Sequence, residues 1–81
     1  MIIHSPQALA NYLRDHRKHS KLSQSDISDR VGIRQETVSA FENKPESTKT
    51  ETLFKLLSAL DLELHIIPKG KTSEQGWDEE W

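Results

Sequence analysis

Ser23-Gln24-Ser25-Asp26-Ile27-Ser28-Asp29-Arg30-Val31-Gly32-Ile33-Arg34-Gln35-Glu36-Thr37-Val38-Ser39-Ala40-Phe41-Glu42-Asn43 is the stretch on which the fold turns. Ser23, with the acid Asp26 three residues later, has the form of a capping box that opens a helix. Ile27 and Val31 stand four apart as that helix's buried pair, and Gly32 is suited to the left-handed conformation that ends it. Ile33, Val38 and Phe41 share one face of a further helical segment over residues 33–41. Ser28 is small where two helices cross closely. A small residue, a turn glycine and five apolar positions in register give residues 24–41 the anatomy of a helix-turn-helix, a unit that places its second helix in the DNA major groove. The plainer alternative is an ordinary helical hairpin in a bundle.

Upstream, Ser5-Pro6 reads as an N-cap followed by proline at the first helical position, which predicts a helix over residues 6–19 with Leu9 and Leu13 on one face. Downstream, Asn43-Lys44-Pro45 breaks the helical pattern. Thr48-Lys49-Thr50-Glu51 has the form of a second capping box, and Leu53, Phe54, Leu56, Leu57 and Leu60 recur at helical spacing to Asp61. This is the most apolar helix and is expected at the centre of the core. After Asp61 the period changes to two: Leu62, Leu64 and Ile66 alternate with Glu63 and His65, and Ile67-Pro68 closes the run. A lone strand leaves its backbone groups unpaired, so either Ile2-Ile3 or a second copy of the chain must pair with it. Pairing across a two-fold axis is the favoured arrangement.

The chain has 81 residues, a net charge of −2 and no cysteine, which describes one small domain without a disulfide framework or thiolate zinc site. Leu, Ile, Val and Phe make up 19 of the 81 residues, above the roughly one-fifth below which composition alone suggests disorder. The core is thin, and dimerisation is the expected way to complete it. The expected organisation is a DNA-binding and dimerisation domain at residues 1–68 and a flexible acidic tail at 69–81. No apolar run approaches the length of a signal peptide core or a membrane helix, so no membrane partner and a cytoplasmic location are expected.

Charge is unevenly spread. Residues 14–49 hold eight Lys/Arg against six Asp/Glu, whereas residues 70–81 hold one against four. A basic body beside an acidic tail leaves polyanion binding open despite the negative total.

The run Leu22-Ser23-Gln24, Ile27-Ser28, then Val31 through Asn43 resembles the lambda-repressor, or Xre, type of helix-turn-helix family, over about residues 5–61. Ser5-Pro6, Gly32-Ile33-Arg34-Gln35, Phe41-Glu42-Asn43, Leu62-Glu63-Leu64 and Glu80-Trp81 together resemble, more narrowly, the HipB antitoxins of HipBA toxin–antitoxin modules. The resemblance implies a mostly α, lambda-repressor-like bundle with a C-terminal β-strand pairing across a homodimer. It also implies a repressor of its own operon that holds a HipA-like serine/threonine kinase toxin inactive. Two departures stand out: Ser28 occupies a position where the family more often has alanine, and Trp77 is additional.

Groove chemistry assigns roles. Arg34 can fork onto guanine O6/N7 and Gln35 onto adenine N6/N7. Glu36 can accept from cytosine N4, or simply complement the helix start, and Ser39, one turn after Gln35, can meet a base or a phosphate. Ser23 and Gln24 at a helix start suit a phosphate oxygen; Arg30, Thr37 and Lys44 are further backbone candidates beside the reading of solvated surface groups. The expected DNA is a duplex carrying an inverted repeat. By resemblance, Glu42 pairs with Arg17 as a structural ion pair.

His16 and His19 lack further ligands, so a solvated pair is favoured over a metal site, and His65 is a strand-face histidine. No phosphate loop, metalloprotease helix or nucleophile with a matched base is present, so no catalytic residue, metal or cofactor is assigned. Trp77 and Trp81 are either toxin contacts or incidental aromatics in a solubilising tail. The rival functions are a stand-alone repressor of phage or restriction-control type and a helical adaptor that binds no DNA.

Overall fold

A computed structural model describes residues 2–69; Trp77, Trp81 and the rest of the expected tail lie outside the described residues. The elements are α1 (Pro6–His19), α2 (Gln24–Val31), α3 (Gln35–Asn43), a single 3₁₀ turn at Pro45–Ser47, and α4 (Thr50–Ala59). Ser5 caps α1 by accepting from the Ala8 N–H, and Pro6 occupies its first turn. Ala10 and Leu13 of α1, Ile27 of α2, Val38 and Phe41 of α3, and Leu56, Leu57, Ala59 and Leu60 at α4 form one core. Ile27 and Val38, on the two helices of the motif, are fully buried. Each such side chain stabilises by about 1.5–3 kcal/mol. Ser28, buried at the crossing, donates its hydroxyl to the Ser25 carbonyl at 2.9 Å and so leaves no unpaired polar atom there.

Three helices end in the same way. Lys21, Gly32 and Asp61 have φ of 61°, 70° and 58°. The next residue in each case, Leu22, Ile33 or Leu62, packs on the core and returns its N–H to a helix carbonyl, Arg17, Ser28 or Leu57, at 3.0, 3.2 and 2.9 Å. This is the six-to-one closure of a Schellman motif with its apolar contact. A Cβ at Gly32 would meet no atom within 4 Å, so glycine is favoured there by the backbone angle alone.

Three details differ from the reading of the sequence. Helix α3 begins at Gln35, because the Ile33 N–H closes α2 and Ile33 belongs to the turn. Thr48 does not cap α4: its N–H closes the 3₁₀ turn onto the Pro45 carbonyl at 3.0 Å, and Lys49 takes the N-cap position without a side-chain bond. Finally, the run from Leu62 to Ile67 forms no strand among the described residues, and Ile2-Ile3 does not pair with it. Leu62 packs against the core, while Leu64, Ile66 and Ile67 are exposed beside Ile2. A strand exists only with a hydrogen-bonding partner, which a single chain does not supply at this edge.

Candidate nucleic-acid interface

The polar start of α3 is presented by a buried frame. Val38, Phe41 and Glu42 face inward, which leaves Arg34, Gln35 and Glu36 exposed and Thr37 and Ser39 half-buried. Arg34 is the N-cap in extended conformation; its carbonyl accepts from Thr37 and Val38 at 3.0 and 3.3 Å, and its side chain makes no cap bond. The Gln35 and Glu36 N–H groups therefore point out of the helix start, where the partial positive charge of the helix is concentrated. No side-chain hydrogen bond or ion pair engages Arg34, Gln35 or Glu36 among the described residues, so their donors and acceptors face solvent unspent.

Gln35, Ser39 and Asn43 form one stripe at four-residue spacing. The Asn43 side-chain amide donates to the Ser39 hydroxyl at 3.2 Å, which leaves the Ser39 proton available to an outside acceptor. Asn43, which the sequence marks only as the end of the helical pattern and as part of the family resemblance, joins this face because the four-residue step from Gln35 and Ser39 reaches it.

Behind this face, the Arg17 guanidinium grips Glu42 with two bonds, Nε to Oε2 at 2.8 Å and Nη2 to Oε1 at 3.0 Å, and gives Nη1 to the Leu22 carbonyl at 2.8 Å. Both side chains are buried. Glu42 Oε1 also accepts from the Gln24 amide at 3.0 Å. The pair thus ties α1, α2 and α3 together, and one donor of Gln24 is turned inward.

At the start of α2, Ser23 and Asp26 satisfy each other: the Ser23 hydroxyl accepts from the Asp26 N–H at 3.0 Å, and the Asp26 carboxylate accepts from the Ser23 N–H at 2.8 Å. The bonds from the Ser23 backbone and side chain hold the Asp26 carboxyl below the usual aspartate value. Arg30 gives Nη1 to the Ala59 carbonyl at 2.9 Å, at the far end of α4. Lys44 is exposed at the end of α3, with its N–H on the Ala40 carbonyl at 2.7 Å. His16 stacks on Tyr12 with ring centroids 6.2 Å apart, and His65 meets Glu63 at 2.9 Å on the surface.

A family profile described as helix-turn-helix matches residues 13–67. Antitoxin HipB of Escherichia coli is 33% identical over 78 residues, spanning 96% of this chain and 89% of that protein. This chain belongs to the HipB antitoxin family of helix-turn-helix proteins. Two solved structures are similar to it in three dimensions. A chain of a HipB-O4 20mer complex superposes with a TM-score of 0.84 at 36% identity, over 85% of this chain and 97% of that one. A chain of a HipA-HipB-O2-O3 complex gives the same values, TM-score 0.84, 36% identity, 85% and 97%.

Membership of the HipB family fits the described body. The matched span runs from Leu13 inside α1 to Ile67 beyond α4, so it includes the motif, every core residue except Ala10, and the exposed residues 63–67. The fold brings Arg34, Gln35, Glu36, Thr37 and Ser39 onto or beside one exposed face. It turns part of Gln24 inward and holds one arm of the Arg30 guanidinium away at α4.

Proposed function

We propose that this chain is a sequence-specific DNA-binding antitoxin that acts as a homodimer, represses its own operon and neutralises a HipA-like serine/threonine kinase toxin by forming a complex with it. The observation that carries the reading is the free polar start of α3, held rigidly by α2 and by the buried Arg17–Glu42 pair. Similarity to HipB across 96% of the chain, and to chains of a HipB-O4 20mer complex and a HipA-HipB-O2-O3 complex, supports the same reading.

In this reading Arg34, Gln35, Glu36 and Ser39 read base edges, and Ser23, Gln24, Thr37 and Lys44 hold phosphates. Gln24 does so with the N–H that Glu42 leaves free. Leu62, Leu64 and Ile66 form the strand that pairs across the two-fold axis, setting the two copies of α3 about one DNA turn, roughly 34–36 Å, apart. Trp77 and Trp81 contact the toxin. The chain acts by binding, with no catalytic step, metal or cofactor of its own, in the cytoplasm; no helix among the described residues is long and apolar enough to cross a membrane.

The test is a pull-down from native lysate, with nuclease present, using the full chain and a version ending at Gly70, alongside binding to inverted-repeat DNA across a salt series. The expected result is a HipA-like kinase at stoichiometric amount with the full chain, lost on truncation, and DNA binding that weakens steeply with salt. DNA binding without any protein partner would leave a stand-alone repressor. Loss of both would leave the helical adaptor.

A further inference from the structure

The last turn of α4 satisfies its carbonyls almost entirely from its own backbone. Leu56, Leu57 and Ser58 accept from the Leu60 N–H, and Leu57 and Ser58 accept again from Leu62 and Asp61. Ala59 is different: its carbonyl accepts from the Arg30 guanidinium, 29 residues away on α2. Immediately after Ala59 the chain turns through Asp61 in left-handed conformation, plants Leu62 on the core and leaves as the exposed segment with Leu64 and Ile66. Arg30 therefore sits at the root of that segment. It is also in the last turn of the helix that packs against α3.

A cationic N–H on the carbonyl end of a helix, here Arg30 Nη1 on Ala59, is favoured by the helix dipole as well as by the hydrogen bond. A residue that reaches a phosphate needs only its charge near the DNA; a residue that reaches one carbonyl fixes direction. We infer that Arg30 is a positioning residue that sets the angle between the recognition unit and the dimer segment, and so determines the half-site spacing that the dimer accepts. The inference rests on the dimeric DNA-binding reading above. The line of force is short: α3 is held by α2, α2 is bonded by Arg30 to the end of α4, and the end of α4 launches the segment that joins the two copies. Each base pair added between half-sites moves one half-site by about 3.4 Å and rotates it about the duplex axis, so a loosened root widens the set of tolerated spacings.

The experiment first uses the full wild-type chain to select an inverted repeat from random duplex DNA, then measures its affinity for that repeat with the spacer shortened or lengthened by one base pair, across a salt series. Arg30→Met and Arg30→Lys are measured on the same set, with folding and dimerisation followed by circular dichroism and sedimentation. The wild type is expected to lose about tenfold or more per wrong spacer, on the scale of a lost base contact. Arg30→Met is expected to keep its affinity for the best repeat within about threefold and its salt slope, while the penalty for a wrong spacer falls to about threefold or less. Arg30→Lys, which keeps the charge but replaces the planar guanidinium donor by a freely rotating ammonium that does not fix direction, is expected to share the relaxed spacing. Uniform weakening at all spacings with a shallower salt slope would make Arg30 a phosphate contact and overturn the inference while leaving the repressor reading intact. Wild-type spacing preference in both variants would overturn it too. Should Arg30→Met fail to fold, Arg30→Lys decides alone. Failure of the wild type to select any inverted repeat would overturn the dimeric DNA-binding reading, and this inference with it.

Discussion

The two ends of α3 carry similar polar chemistry and use it in opposite ways. At the C-terminal end Glu42 is buried and receives three donors, two from Arg17 and one from Gln24. At the N-terminal end Arg34, Gln35 and Glu36 are exposed and engaged by no side chain among the described residues. A charge that is buried must be paired, because the desolvation it suffers is otherwise uncompensated. A charge that is to meet a ligand must be left unpaired, because every bond already made has to be broken first. The difference separates stability from recognition on one nine-residue helix.

That separation makes an ordered set of predictions. Glu42→Ala strands the Arg17 guanidinium in the core and is expected to cost about 3–5 kcal/mol, a large share of a small domain's stability. Urea denaturation measures it; a loss under 1 kcal/mol would mean that the pair is solvated and the comparison fails at its buried end. Gln35→Ala is expected to leave the urea midpoint unchanged and to reduce discrimination at one base pair of each half-site by about 1–3 kcal/mol. Competition binding with every base substituted in turn reads this, and equal weakening on all sequences would move Gln35 to the phosphate group.

Smaller effects test the frame between the two ends. Lys21→Gly and Asp61→Gly relieve left-handed strain without disturbing the closing bonds, and each is expected to raise stability by up to about 1 kcal/mol in thermal melts. The smallest effect belongs to Asp26. Its carboxyl titrates below the unfolded value, so it contributes stability that is present above the ordinary aspartate value and is lost as pH falls through the lowered one. In Asp26→Asn the acid side of the stability–pH curve is expected to be shallower, because the small stability the carboxylate adds near neutral pH is missing while stability at low pH is unchanged. An identical acid limb would place the protonation-linked loss elsewhere.

Much of the frame is legible from local chemistry. Ser5-Pro6 opens α1, Ser23 and Asp26 make a true capping box, Gly32 turns left-handed, and the apolar spacing places Ile27, Val38 and Phe41 in the core. Lys21 and Asp61 were not legible as left-handed residues because neither is glycine. The sign that exposes them is the recurrence of one pattern, a polar residue or glycine followed by Leu or Ile, at three helix ends. The false cap at Thr48 shows the opposite failure: the residue type is right, but Pro45 starts a 3₁₀ turn that claims the Thr48 N–H.

The site divides along the same line. Exposure of Arg34, Gln35 and Glu36 follows from Ile33, Val38 and Phe41 pointing the other way, so their availability could be read from spacing alone. The destinations of long side chains could not. Gln24 reaches Glu42, 18 positions away, and Arg30 reaches Ala59, 29 positions away. Neither distance leaves a periodic trace, because each depends on how the helices cross.

By itself, then, the amino-acid sequence determined where helices start, which faces they bury and which side chains the motif leaves free. These are consequences of caps, turn residues and a repeat of 3.6, all set by neighbours within a few positions. Only the tertiary structure decided which charges are spent. The reach of an Arg or Gln side chain is fixed by packing between distant helices, and it is this packing that buries Glu42 among three donors and sends Arg30 to the end of α4.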